Sequence, residues 1–122
     1  GILTDYTTLG NLAVKLKTAL ELGREARLLL LENAVNDKAF APSISVHFMM
    51  MFGYISGAWL MAKSAIKARE LLDNNQGETE FLEAKLITTQ FYFDHVLPRI
   101  HTNLASIKSG SDSIMSLTED LF

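Results

Sequence analysis

Cysteine is absent from the 122-residue chain, proline occurs twice and glycine seven times. Without thiols there is no disulfide scaffold and no thiolate metal site, which fits a cytoplasmic protein. With so few breakers, long segments remain in which a helix can run uninterrupted. Val, Ile and Thr nowhere alternate with polar residues, so strand signals are missing as well. Positive charge is neither abundant nor clustered: 11 Lys and Arg against 14 Asp and Glu give a net charge of −3. The basic stripe that nucleic-acid binding requires is therefore lacking, and a nucleic-acid partner is not expected. A secretory leader with a basic start, an apolar stretch and a small-residue cleavage site is lacking too. So is an initiator Met: the chain opens Gly1-Ile2-Leu3 and reads as a piece of something larger.

Signatures of chemistry are missing in the same way. There is no Gly-x-Ser-x-Gly elbow, no phosphate-cradling Gly-rich loop and no dinucleotide fingerprint. Di-iron bundles use Glu-x-x-His pairs on facing helices, but no Glu precedes a His by three here. His47 stands alone, and His95 and His101 are six residues apart on different helix faces, so no metal is expected. Asp94 and His95 are adjacent and point apart on a helix, which argues against a catalytic dyad.

What is present is a 48% hydrophobic, 20% charged sequence, a balance that folds. Its length suits one core, so residues 1–122 read as a single helical-bundle domain. A first helix is expected over residues 5–36, with Leu9, Leu12, Leu16, Leu20, Ala26, Leu30 and Ala34 on one face. Gly10 and Gly23 each weaken it by up to about 1 kcal/mol relative to Ala, and their use is to let another helix come close. Asn36-Asp37-Lys38 reads as a turn.

A second helix is expected from Pro42, which is tolerated in a first turn, to residue 72. Ile44, Phe48, Met51, Ile55, Ala58, Ala62, Ala65 and Leu72 form its stripe, while Phe52, Tyr54, Trp59, Leu60 and Met61 make its first half apolar nearly all round. Such a helix is covered on more than one side. Residues 39–62 carry no charge and are long enough to cross a bilayer. Pro42, Ser43, Ser45, His47, Tyr54 and Ser56 make them a poor lipid span, so the expectation is a fully buried bundle helix. In Met49-Met50-Met51, consecutive helical directions predict core filling with one Met exposed.

A third helix is expected over residues 78–109. Leu82, Thr89, Phe93, Val96, Ile100, Asn103 and Ile107 form its stripe, widened by Phe81, Phe91, Leu97 and Leu104. Glu78, Glu80 and Glu83 oppose the dipole at its start, and Gly110 is a natural stop. Pro98 removes a hydrogen bond in mid-helix at a cost of about 3 kcal/mol, so a bend is expected over residues 94–98. Short connections make neighbouring helices antiparallel. The predicted fold is all-α, an up-down-up antiparallel bundle of three long helices, with residues 111–122 returning as a short fourth segment.

Three blocks carry a family likeness: FGYISGAWLMAKSA from Phe52, FYFDHVLPRIHTNLASIKSG from Phe91, and the closing SIMSLTEDLF. In order and spacing they resemble the C-terminal helical domain of large bacterial acyl-CoA dehydrogenases (the acetyl-CoA dehydrogenase C-terminal-like domain), and the likeness extends over nearly the whole chain. In the first block, Gly53, Gly57 and Ala58 offer a shallow surface for a neighbouring helix and Trp59 fills the space beside it. The resemblance implies a parent oxidoreductase that removes an α-proton from an acyl-CoA with a carboxylate base and passes the β-hydride to FAD. It implies a base Glu in a Tyr-Glu-Gly-Thr-type segment upstream, which does not occur here, so no catalytic, cofactor-binding or metal residue is carried over. FAD belongs to the parent rather than to this fragment. The expected partner is the remainder of the dehydrogenase or a second subunit, with Phe48, Phe52, Trp59 and Phe93 as candidate contacts on a surplus apolar face. A stand-alone helical adaptor and a small apolar-ligand binder are the alternatives.

Overall fold

Leucine and alanine recurring at steps of three and four dictate where helices form and which sides meet. In a computed structural model, which describes residues 6–36 and 42–109, α1 spans Tyr6–Asn36 and α2 spans Pro42–Asp73. α3 spans Thr79–Phe91, a π turn follows at Tyr92–Val96, and residues 99–109 are helical again (α4). No strand occurs among the described residues. The expected turn after Asn36, the stop at Gly110 and the returning segment 111–122 lie outside them.

α2 ends in a Schellman motif. Asn75 takes the left-handed conformation (φ 55°), its N–H donates to the Leu72 carbonyl at 3.2 Å, and the Gln76 N–H donates to that of Leu71 at 2.8 Å. Gly77, at φ 78°, then turns the chain into α3, whose start Glu78 flanks in extended backbone. Glu80 lies in the first turn, where its charge suits the dipole.

The third helix is not continuous. Pro98 has no N–H to donate, and its ring would crowd the preceding turn of an α-helix. The backbone answers with a wider turn: the Leu97 N–H reaches back five residues to the Tyr92 carbonyl at 2.9 Å. Ile100 and His101 then donate to Leu97 and Pro98, each at 3.1 Å, so Pro98 sits where a new helix begins and its missing donor costs little. The expected distortion falls at the expected place, as a π turn. It also shifts the buried stripe: Leu97 and Leu104 are buried alongside Asn103, whereas Val96 is only half-buried.

Side-chain contacts fix the topology as up-down-up. Lys15 Nζ lies 3.0 Å from Asp94 Oδ1, and Lys108 Nζ lies 2.7 Å from Glu25 Oε1, so α1 runs parallel to the α3–α4 segment. Thr89 Oγ1 donates to the Met61 carbonyl at 3.3 Å and Tyr92 Oη to that of Tyr54 at 2.7 Å, while Asn103 Nδ2 lies 3.3 Å from His47 Nδ1. These pairs ascend on one helix as they descend on the other, so α2 is antiparallel to both neighbours.

The core joins Leu12, Ala19 and Ala26 of α1 to Ile44, Met51, Ile55 and Ala58 of α2 and to Phe93, Leu97, Ile100, Leu104 and Ile107. Ala65, Ala68, Leu82 and Leu86 extend it toward the α2–α3 turn. Ala34 of the expected α1 stripe lies outside the described side chains; among the rest the stripe is corrected at one step, where Ala19 is buried and Leu20 is half-exposed, because the seam runs 12, 16, 19, 23, 26. Gly23 occupies that seam, where a Cβ would stand 2.9 Å from Ile55 Cδ1, as the close-approach reading requires. Gly10 does not serve that purpose, since a Cβ there meets nothing within 4 Å among the described residues.

Candidate functional site

α2 is too apolar to hide all its side chains between two neighbours. Its inner face is buried, but Met49, Phe52, Trp59 and Leu60 are 71%, 66%, 47% and 58% exposed. Ile44–Asp73 is long and apolar enough to span a membrane by length and composition, and only 22% of its 18-residue apolar window is buried. The expectation of a fully buried helix is thereby corrected. One extra methionine is exposed as well: Met51 is buried, whereas both Met49 and Met50 face outward.

The exposed residues do not scatter. On the side of the α1–α2 pair away from α3, they line a groove of about 890 Å³ with Leu20, Gly23, Arg24 and Arg27 from α1. Three of the four candidate contacts lie here: Phe48, half-buried against the core, and the exposed Phe52 and Trp59. Phe93, the fourth, is 2% exposed and sits in the core shared by α1, α2 and α4, so it is not available as a surface contact. Trp59 does not fill the space beside the glycines; its ring lies outward with Lys63 Nζ 4.4 Å from its centroid, a cation–π contact.

The small-residue step divides sharply. Gly53 is exposed with open space beyond it, whereas Gly57 lies under the Tyr92 phenol, where a Cβ would stand 2.5 Å from Oη. Ala58 is fully buried. The Gly57–Tyr92 fit had no signal in the sequence, because it depends on the π turn that aims Tyr92. Arg24 and Arg27 were also missed as a pair, although their spacing with Leu20 and Gly23 places them on one flank.

Burial of the Tyr92 hydroxyl, with the neighbouring Tyr54 phenol adding to it, raises its pKa above the ordinary 10.0. The neutral form is the one the fold favours, so its stabilisation is complete below the unfolded value and is lost as pH rises through the raised folded value. Tyr92→Phe is expected to cost about 0.5–1.5 kcal/mol near neutrality by removing the bond to the Tyr54 carbonyl. Thermal melts between pH 8 and 12 check this: the gap between wild type and variant closes as the pH becomes strongly alkaline.

A second, smaller cleft of about 320 Å³ lies between α1 and the α3–α4 segment, with Lys15, Asp94 and His101 among its lining residues. Gln90 Nε2 bonds both Asp94 oxygens at 3.0 Å; with the Lys15 ammonium, it holds the Asp94 carboxyl below its ordinary pKa. A depressed carboxylate stabilises above its unfolded pKa, and that contribution is lost as pH falls through the folded value. Both ends of the ion pair are substantially exposed, so Asp94→Asn is expected to cost at most about 1 kcal/mol at neutral pH, less in high salt. Urea denaturation at pH 7 and pH 2.5 tests the sign: the difference between the two proteins vanishes in acid. Asp94 and Lys15 are committed to each other, and this cleft holds no nucleophile paired with a base. Among the described residues no three His, Cys, Asp or Glu converge as a metal site.

A family model described as acetyl-CoA dehydrogenase C-terminal like matches residues 3–118. Among curated proteins, the chain is similar to 3-methylmercaptopropionyl-CoA dehydrogenase of Ruegeria pomeroyi, 31% identical over 87 residues. Those residues are 71% of this chain and 15% of that protein. No solved structure matches.

Proposed function

Because the chain belongs to the acetyl-CoA dehydrogenase C-terminal-like family, we propose that it is the accessory C-terminal domain of an FAD-dependent acyl-CoA dehydrogenase. The parent would carry out α,β-dehydrogenation of an acyl-CoA thioester in the cytoplasm, with the catalytic base and the flavin site supplied by its other domains. The groove on α1 and α2 does not fit a flavin. Its side-chain polar groups are two guanidiniums, the Ser56 hydroxyl and the indole N–H of the exposed Trp59, on an otherwise apolar wall, with no set of buried donors and acceptors for a flavin ring. No step of the reaction is therefore routed through these residues.

The observation that carries the reading is the exposed outer face of α2, with Phe52 and Trp59 at its centre. Contiguous apolar surface of this kind marks an interaction site, and in a domain of a larger enzyme the remainder of that enzyme is the cover. Phe52→Asp combined with Trp59→Asp tests this. In residues 1–122 alone both positions face water, and the substitutions are expected to cost about 1 kcal/mol each, from helix propensity and, at Trp59, from the lost cation–π contact with Lys63. In the full-length protein the same pair is expected to lower the melting temperature by several degrees more, since each carboxylate would be buried unpaired. Equal effects in both proteins would sink the docking role. Flavin or acyl-CoA-dependent acceptor reduction recovered with residues 1–122 alone would sink the accessory assignment.

A further inference from the structure

Resting on that reading, we infer that the α1–α2 groove receives a single amphipathic helix of about twelve residues, contributed by the remainder of the parent enzyme, with carboxylates along the flank that meets α1. The size follows from the lining: Phe48 to Leu60 is thirteen residues of α2, twelve steps or about 18 Å at 1.5 Å per residue. The charge follows from the rim. The charged groups lining the groove are Arg24 and Arg27, both exposed on the α1 side, and no Asp or Glu lines it. The complementary surface is an apolar face toward Phe52, Trp59 and Leu60 with acidic residues toward the two arginines. Adding that helix converts the three-helix arrangement into a four-helix one, the usual way an unpartnered pair of helices buries its outer seam.

Two other occupants fit less well. The chain's own residues 110–122 leave the described structure beside Lys108, which is paired to Glu25. Glu25 lies on the α4-facing flank of α1, with Ala19 and Ala26 between it and the Arg24–Arg27 flank. Passing round a helix about 10 Å across takes roughly five residues at about 3.4 Å each. That leaves about eight of the thirteen, short of the twelve the groove accommodates. A second copy meeting groove to groove would set concave against concave and leave both unfilled, against the close packing that interfaces share with interiors.

The test is site-specific photo-crosslinking in the full-length protein, with p-benzoylphenylalanine in place of Phe52 and mapping of the joined peptides. The expected product is an intramolecular link to a peptide outside residues 1–122 that carries Asp or Glu beside an apolar helical repeat. Arg24→Glu with Arg27→Glu is expected to lower its yield roughly tenfold by placing like charges together, and charge reversal on the mapped peptide should restore it. A link to residues 110–122, a link between two copies, or no link overturns the inference. Flavin content and acyl-CoA-dependent acceptor reduction of the unlabelled full-length protein are read separately. If both are present without the expected link, the docking helix alone is refuted; if both are absent, the function beneath it is.

Discussion

Phe93→Ala is expected to destabilise the domain by about 3–5 kcal/mol, the range for truncating a buried aromatic side chain. Phe93 is 2% exposed and packs in the cluster that α1, α2 and α4 share, so no single helix can close the cavity by moving alone. Against a total stability of about 5–15 kcal/mol for a typical domain, the loss leaves the fold marginal. Phe91, two residues earlier, is 59% exposed and stacks loosely on His95 with ring centroids 4.8 Å apart. Phe91→Ala is expected to stay within about 0.5 kcal/mol. Urea titration of both variants, read as a shift in midpoint at constant slope, separates the two aromatics. A small effect at Phe93 would mean that the π turn does not lock that ring into the core.

Two glycines four residues apart on α2 are expected to respond with opposite signs. Gly57→Ala places a methyl 2.5 Å from the Tyr92 hydroxyl and 3.1 Å from the carbon that bears it. Neither atom can retreat cheaply, because the hydroxyl is bonded to the Tyr54 carbonyl at 2.7 Å. Overpacking of this kind costs about 1–3 kcal/mol, and the helix propensity gained returns at most about 1 kcal/mol. Gly53→Ala meets open space and keeps that gain, so it is expected to stabilise by up to about 1 kcal/mol. Combining Gly57→Ala with Tyr92→Phe should recover part of the loss, since removing the hydroxyl removes the closer of the two clashes. Thermal unfolding of the four proteins forms a cycle that isolates the contact. If Gly57→Ala stabilises as Gly53→Ala does, Tyr92 does not lie across α2 as described.

The boundaries of α1 and α2 were legible because leucine and alanine hold a three-four spacing for some thirty residues, and no tertiary contact competes with so long a repeat. The α2 stripe was legible almost residue by residue for the same reason. At Leu20 the reading failed, since steps of four from Leu16 are as regular as the steps of three that Ala19 takes. Which of two such rows is buried depends on where Gly23 lets Ile55 approach. Pro98 announced a break in the third helix, but a missing N–H does not say how the chain will rewind. The five-residue reach from Leu97 to Tyr92 decides that Leu97 and Leu104, rather than Val96, lie in the core.

The candidate contacts divide along the same line. Phe48, Phe52, Trp59 and Phe93 are alike in sequence, since each is a large apolar side chain on a strongly apolar helix. Only the arrangement of three helices places Phe93 inside and the others on one groove. The sequence by itself determined the helical class, the lengths of the first two helices and the kinship with acetyl-CoA dehydrogenase C-terminal-like domains, because local spacing and ordered motifs carry all three. The tertiary structure decided which apolar residues face water, which glycine is needed and where two arginines meet an aromatic wall. Those properties depend on what lies across from each residue, and a linear pattern records only what lies beside it.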